Sequence, residues 1–283
     1  MWDTILNVLL VIILVVGIVT FILYPAPLKP IIYKLFPDSK YPINEKYAKI
    51  EKRYTIYSSK PDNKKLLICF NGGAFLFSYV HQIYGLANAI YDKIKDLGFD
   101  LFLFEYPVRF SHTLQDTMLH INETLKETIQ SKYTEYHALA LSAGCTLLGA
   151  FIHKETDKQA SDEMQVPPIG LRFESVTMVC GLYDQEFKSD LLNFLFKFYI
   201  ARGTPGSRHY TAYKIKEPKL VVSCVSDFLY GQYTRYVSTE PYAAKILYTN
   251  PLLPHCFCQW LNYDETLQFV DSLADFLVNY DKS

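Results

Sequence analysis

From residue 4 to residue 28 the chain carries no charged side chain, and 5–24 reads ILNVLLVIILVVGIVTFILY. About 20 apolar residues, at about 1.5 Å rise each, are long enough to cross a hydrocarbon core as a helix. A cleaved signal peptide needs a basic leader, a shorter apolar stretch and a small-x-small exit. Here the leader is Met-Trp-Asp and the exit is Tyr24-Pro25-Ala26-Pro27. Residues 1–28 are therefore predicted to be a retained N-terminal transmembrane helix, and 29–283 one large domain with a well-buried core.

Beyond the anchor the rhythm changes. Short continuous apolar runs occur at 65–71 (KLLICFN), 100–106 (DLFLFEY), 136–141, 174–180, 219–226 (KLVVSCVS) and 244–248, with 54–58 as a further candidate strand. Helical patterns fill 79–97, 113–134 and 144–153, and 264–279 is an amphipathic helix at the end of the chain. Residues 25–50, rich in Pro, Tyr and Lys, read as an irregular linker or short helices. Continuous apolar strands alternating with helices predict an α/β fold: a mainly parallel central sheet with helices on both faces. Sites in such sheets lie at the carboxyl ends of the strands.

Net charge is −1 with scattered Lys and Arg, so the basic face of a nucleic-acid binder is missing. The 23 Tyr and 19 Phe suit a deep apolar pocket or a membrane-facing rim, or simply reflect compositional bias. Six cysteines (Cys69, Cys145, Cys180, Cys224, Cys256, Cys258) form neither a disulfide framework nor a C-x-x-C pair, and no structural metal is expected. Lys29, Lys34 and Lys40 follow the apolar span and none precedes it, which places the domain on the cytoplasmic side of an endoplasmic-reticulum or related membrane. The sequon Asn122-Glu123-Thr124 would matter only in a lumenal domain, and the lysines outweigh it.

Chemistry concentrates at four loop positions. The 136–141 strand runs into Ala140-Leu141-Ser142-Ala143-Gly144, with an apolar helix following. Small residues two places either side of a serine permit the sharp strand-to-helix turn of a nucleophile elbow; a helix N-cap serine is the other reading. The 65–71 strand runs into Gly72-Gly73-Ala74, small enough to bring backbone N–H groups to a ligand oxygen, or to form a plain turn. Asp227 follows the 219–226 strand, and His255 lies in the loop before the last helix. Singly each residue is ordinary. Together, Ser142, Asp227 and His255 stand in the chain order of a Ser…Asp…His triad. Asp184, after the 174–180 strand, is an alternative acid.

These motifs resemble the hormone-sensitive-lipase-like branch of the α/β hydrolases, with its arylacetamide deacetylases and steryl-acetate hydrolases. Asn71-Gly72-Gly73-Ala74 resembles that family's His-Gly-Gly-Gly loop, Ala140–Gly144 its G-D-S-A-G elbow, 221–229 its strand-D-x-L segment and His255-Cys256-Phe257 its His-x-Phe segment. Asn71, Ala74, Ala140 and Leu141 depart from the pattern. The resemblance, over about residues 60–280, implies an α/β-hydrolase fold and cofactor-free carboxylic ester hydrolysis. Ser142, Asp227 and His255 would be catalytic, and Gly72, Gly73, Ala74 and Ala143 would form the oxyanion hole. A cap is expected at about 185–216, and a lipophilic ester, such as an acetylated sterol or an acylglycerol, is the expected substrate. A catalytically silent membrane scaffold and an amidase or peptidase remain rival readings. Oligomeric state is not legible.

Overall fold

The computed structural model describes residues 41–280, apart from 76–77, 79, 108–111, 129–131, 187–192 and 194–195, with residues 198–200 described by backbone alone. The segment read as a transmembrane anchor lies outside the described residues. Among the described residues no helix is long and apolar enough to cross a membrane.

Eight strands make one sheet: β1 (Ala48–Ile50), β2 (Tyr54–Tyr57), β3 (Lys65–Phe70), β4 (Phe99–Phe104), β5 (Glu135–Leu141), β6 (Ser175–Val179), β7 (Lys219–Cys224) and β8 (Ala244–Tyr248). Their order is β1-β2-β4-β3-β5-β6-β7-β8. The pairings of β2 with β1 and β4 are antiparallel, and all others are parallel. Strands β4, β6 and β7 are buried along their whole length. That explains why each reads as an unbroken apolar run rather than an alternation.

The period-two pleat sends alternate side chains into two cores. Leu66, Ile68 and Phe70 of β3 enter the core beneath α2 (Leu114–Thr128) and α3 (Ala143–Thr156). Leu67 and Cys69 enter the opposite core, covered by α1 (Tyr84–Ile94) and by the C-terminal helix (Asp264–Asn279). Helix α3 is buried on every side from Ala143 to Lys154, which marks it as central rather than as a surface helix.

Three elements escaped the pattern. Strand β1 sits where a linker was expected. Its burial shows no alternation, and it is defined by antiparallel pairing with β2. Helix α4 (Lys158–Met164) is short and set by its cap, Asp157, which accepts hydrogen bonds from the N–H groups of Gln159 and Ala160. Helix α5 (Tyr230–Thr239) is rich in aromatic and β-branched residues that do not announce a helix. We number the C-terminal helix α6. Helix α2 is described to Thr128, and residues 132–134, the end of the predicted span, are not helical. Between β6 and β7, the described part of the region expected to form a cap includes a helical position at Asn193, a π turn at Phe196–Ala201 and 3-10 turns at Ser207–His209 and Ala212–Lys214.

The sequon is built into this framework. Asn122 is buried and its side-chain amide donates to the Pro167 carbonyl (2.6 Å), while Thr124 is 1% exposed. The buried amide leaves no room there for a glycan in the folded protein.

Candidate active site

The turn from β5 into α3 places Ser142 in a strained positive-φ conformation (φ 51°, ψ −120°), and its side chain makes no capping bond to the helix. An ordinary N-cap serine has extended dihedrals and does make that bond. Backbone hydrogen bonds hold the strained residue from three directions. Its N–H donates to Val179 O (3.0 Å), and its carbonyl accepts from Leu182 and Cys145 (each 3.0 Å).

The glycine after the turn is dictated by packing. A Cβ on Gly144 would lie 2.0 Å from the Phe70 carbonyl oxygen and 2.7 Å from that of Asn71, so α3 crosses the end of β3 only if residue 144 lacks a side chain. Gly144→Ala is expected to cost about 1–3 kcal/mol as the helix is forced off the strand. Thermal unfolding followed by circular dichroism would show the drop in Tm; an unchanged Tm would mean the helix yields freely.

Two distant side chains meet the serine. Ser142 Oγ is 2.8 Å from His255 Nε2, and His255 Nδ1 is 3.0 and 2.9 Å from Asp227 Oδ1 and Oδ2. Asp227 Oδ1 also accepts from the Leu229 N–H (2.7 Å), which fixes the carboxylate's direction. Asp227 and Ser142 are buried, and the His255 side chain is 25% exposed. Asp184, the alternative acid, is engaged elsewhere: it pairs with Arg235 (3.0 Å) and accepts from the Glu186 N–H (2.8 Å). Burial raises the pKa of Asp184.

Burial alone would favour the neutral His255 ring. The Cys256 sulfur and the Asp227 carboxylate beside it work in the opposite sense and prevail, raising its pKa above the ordinary histidine value of 6.5. A hydroxyl, an imidazole and a carboxylate in this sequence can draw a proton off the hydroxyl as its oxygen attacks a carbonyl, and shelter the imidazolium that results.

The loop after β3 abuts the same serine. A Cβ on Gly72 would stand 3.0 Å from Leu141 O and 3.1 Å from Ser142 Cβ. Gly73, Ala74 and Phe75 then follow with φ of 125°, 53° and 61°. The Tyr106 hydroxyl braces the loop by donating to Asn71 O (2.8 Å). Phe75 is buried against Phe196 from the β6–β7 region, ring centroids 5.8 Å apart. Ala143, the remaining residue expected to supply an N–H, opens α3.

Six described non-glycine residues have positive φ, and five belong to this region: Ala74, Phe75, Ser142, Cys180 and Cys256. The sixth, Gln165, closes α4. Left-handed backbone costs such residues about 1 kcal/mol or more, and strain of this kind gathers at functional sites. Sequence reading missed Cys180, Cys256 and Phe228, whose ring packs on His255 (centroids 4.4 Å apart). None carries a motif, and only the fold brings them in.

Solved structures with the same architecture include esterases. Inhibited esterase B from Lactobacillus rhamnosis superposes with a TM-score of 0.76 at 13% identity, covering 94% of this chain and 97% of that one. The chain has the α/β-hydrolase fold. An esterase/lipase from an uncultured bacterium gives 0.65 at 10% identity, covering 89% and 91% of the two chains. The esterase LipW of Mycobacterium marinum gives 0.62 at 13%, covering 81% and 77%. No known family model matches the sequence, and no curated protein is significantly similar to it.

Proposed function

We propose that this protein is a serine carboxylic-ester hydrolase. The observation that carries the proposal is the continuous Ser142–His255–Asp227 contact, 2.8–3.0 Å at each link, on a strained elbow at the carboxyl end of an α/β-hydrolase sheet. His255 Nε2 takes the Ser142 proton as Oγ attacks the ester carbonyl. The N–H groups of Gly73, Ala74 and Ala143 receive the tetrahedral oxyanion. Gly72 lets their loop lie against the serine, and the N-terminus of α3 adds its dipole. Because these donors are backbone groups, alanine serves where glycine would. Protonated His255 then returns its proton to the departing alcohol. Water, deprotonated by the same ring, releases the acyl group. Asp227 holds the Nδ1–H and balances the imidazolium. The cycle uses side chains and backbone only.

A lipophilic ester is the substrate class we favour. Phe228 is 74% exposed while its ring packs on His255, an apolar surface at the entrance to the serine. Phe228→Ala is expected to raise KM for long-chain esters about fivefold, the effect of roughly 1 kcal/mol of apolar contact. It should leave KM for acetate esters nearly unchanged. A p-nitrophenyl ester series of increasing chain length measures both, and a uniform change would remove Phe228 from the substrate path.

Residues 1–28 anchor the domain to a membrane in the same reading, with the domain on the cytoplasmic side. The lysines after the span favour this side, and neither the buried Asn122 nor the six free thiols oppose it. The decisive experiment for the activity is a fluorophosphonate reaction with the full chain, followed by peptide mass mapping. One adduct on Ser142, with turnover of a p-nitrophenyl ester, is expected. An adduct elsewhere, or none with no turnover, would overturn the proposal.

A further inference from the structure

Cys180 follows β6 directly, Cys224 ends β7, and Cys256 follows His255 in the loop after β8. Although scattered in sequence, all three are buried in one hydrophobic core. Cys256 Sγ lies 3.6 Å from His255 Nε2, the same nitrogen that faces Ser142. One donor atom each from Cys180, Asp227 and His255 lie within 4.8 Å of one another. Around a tetrahedral zinc ion, with bonds of about 2.0–2.3 Å, donor atoms stand about 3.3–3.8 Å apart, so closing by about an ångström would make a ligand set.

The donor chemistry selects the guest. Two sulfurs, an imidazole and a carboxylate suit a borderline-soft cation and are a poor match for magnesium or calcium, which take oxygen ligands. Cys180 and Cys256 have 1% and 5% of their surface exposed, whereas the His255 side chain is a quarter exposed. The way in is therefore past the ring. We propose that Cys180, Cys256, His255 and Asp227 form an inhibitory site for a thiophilic divalent cation of the zinc class. Binding releases the two thiol protons to solvent and forms two thiolate–metal bonds, with no change of oxidation state. Either ring nitrogen serves the inhibition. A metal on Nε2 removes the base that faces Ser142, and a metal on Nδ1 takes Asp227 as its own ligand and so ends the carboxylate's hold on the ring. The inhibitory consequence rests on the hydrolase reading, whereas the binding does not.

Titrating the full chain with Cd2+ separates the two. A thiolate-to-metal charge-transfer absorbance saturating at one ion per chain is expected, and Ser142→Ala should show the same, since the hydroxyl is not a ligand. Cys180→Ala with Cys256→Ala should weaken binding by more than the roughly 10–100-fold typical of losing an outer-shell partner. In the unsubstituted protein, Zn2+ should protect Cys180 and Cys256 from iodoacetamide, read by peptide mass; this needs no variant to fold. Zn2+ should also slow fluorophosphonate labelling of Ser142, and EDTA should restore it. No absorbance at stoichiometric Cd2+, undiminished absorbance in the double variant, or alkylation of both cysteines unaffected by Zn2+ would each overturn the site. Metal binding with no labelling in metal-free protein would instead sink the hydrolase reading and leave the site standing.

Discussion

Ser142→Ala is expected to lower ester turnover by about 10^4-fold or more and to abolish fluorophosphonate labelling, with the fold intact. The hydroxyl is the one group positioned 2.8 Å from His255 Nε2, and no other side chain can inherit its place on the elbow. What survives is the contribution of the backbone donors and of substrate positioning. Ser142→Gly separates chemistry from strain. It should be as inactive as the alanine variant but more stable by about 1 kcal/mol, because glycine adopts positive φ without the penalty that serine meets at φ 51°. Ester hydrolysis and denaturant unfolding of the two variants measure the pair. If Ser142→Ala retained more than a few per cent of the activity, the nucleophile would be another residue.

The sheet was legible because its buried strands leave a signal that needs no context: continuous apolar runs such as 65–71 and 100–106, each ending near a turn. Strand β1 and helix α4 were not, because an edge strand with exposed residues and a two-turn helix held by an Asp cap owe their existence to pairing and capping rather than to periodicity. The same division holds at the site. Ser142 betrays itself through its small neighbours, and Gly144 is small because the Phe70 carbonyl occupies the space a Cβ would need. Asp227 and His255 could be ordered along the chain, and their mutual distance follows from β7 and β8 lying side by side in the sheet. Asp184 was the reserve acid in sequence, and the fold sets it aside by pairing it with Arg235, a partner 51 residues away. The cysteine cluster was invisible for a related reason. Metal-ligand spacing detects donors on one turn or hairpin, whereas Cys180 and Cys256 are 76 positions apart and meet only once β6 and the loop after β8 share one edge of the sheet.

Asp227→Asn is expected to cost about 10^4-fold in kcat while substrate affinity changes little. An amide beside Nδ1 no longer imposes the tautomer that leaves Nε2 free to accept the serine proton, and it gives no balancing charge to the imidazolium. The pH dependence tests the physical cause. His255 works as a base only when neutral, so activity in the unsubstituted protein should climb with pH through the raised pKa and reach its plateau on the alkaline side. Stability should move the other way over the same window. The folded state favours the protonated ring, so that contribution is fully present below the ordinary value of 6.5 and is lost as pH rises through the raised one. Removing the carboxylate takes away one of the two influences that raise the ring's pKa. The rising limb of the residual kcat/KM profile should then shift to lower pH, and the fall in Tm across that window should shrink. A limb that stayed in place would mean that Asp227 acts on the orientation of the ring alone, and that the Cys256 sulfur carries the electrostatic effect.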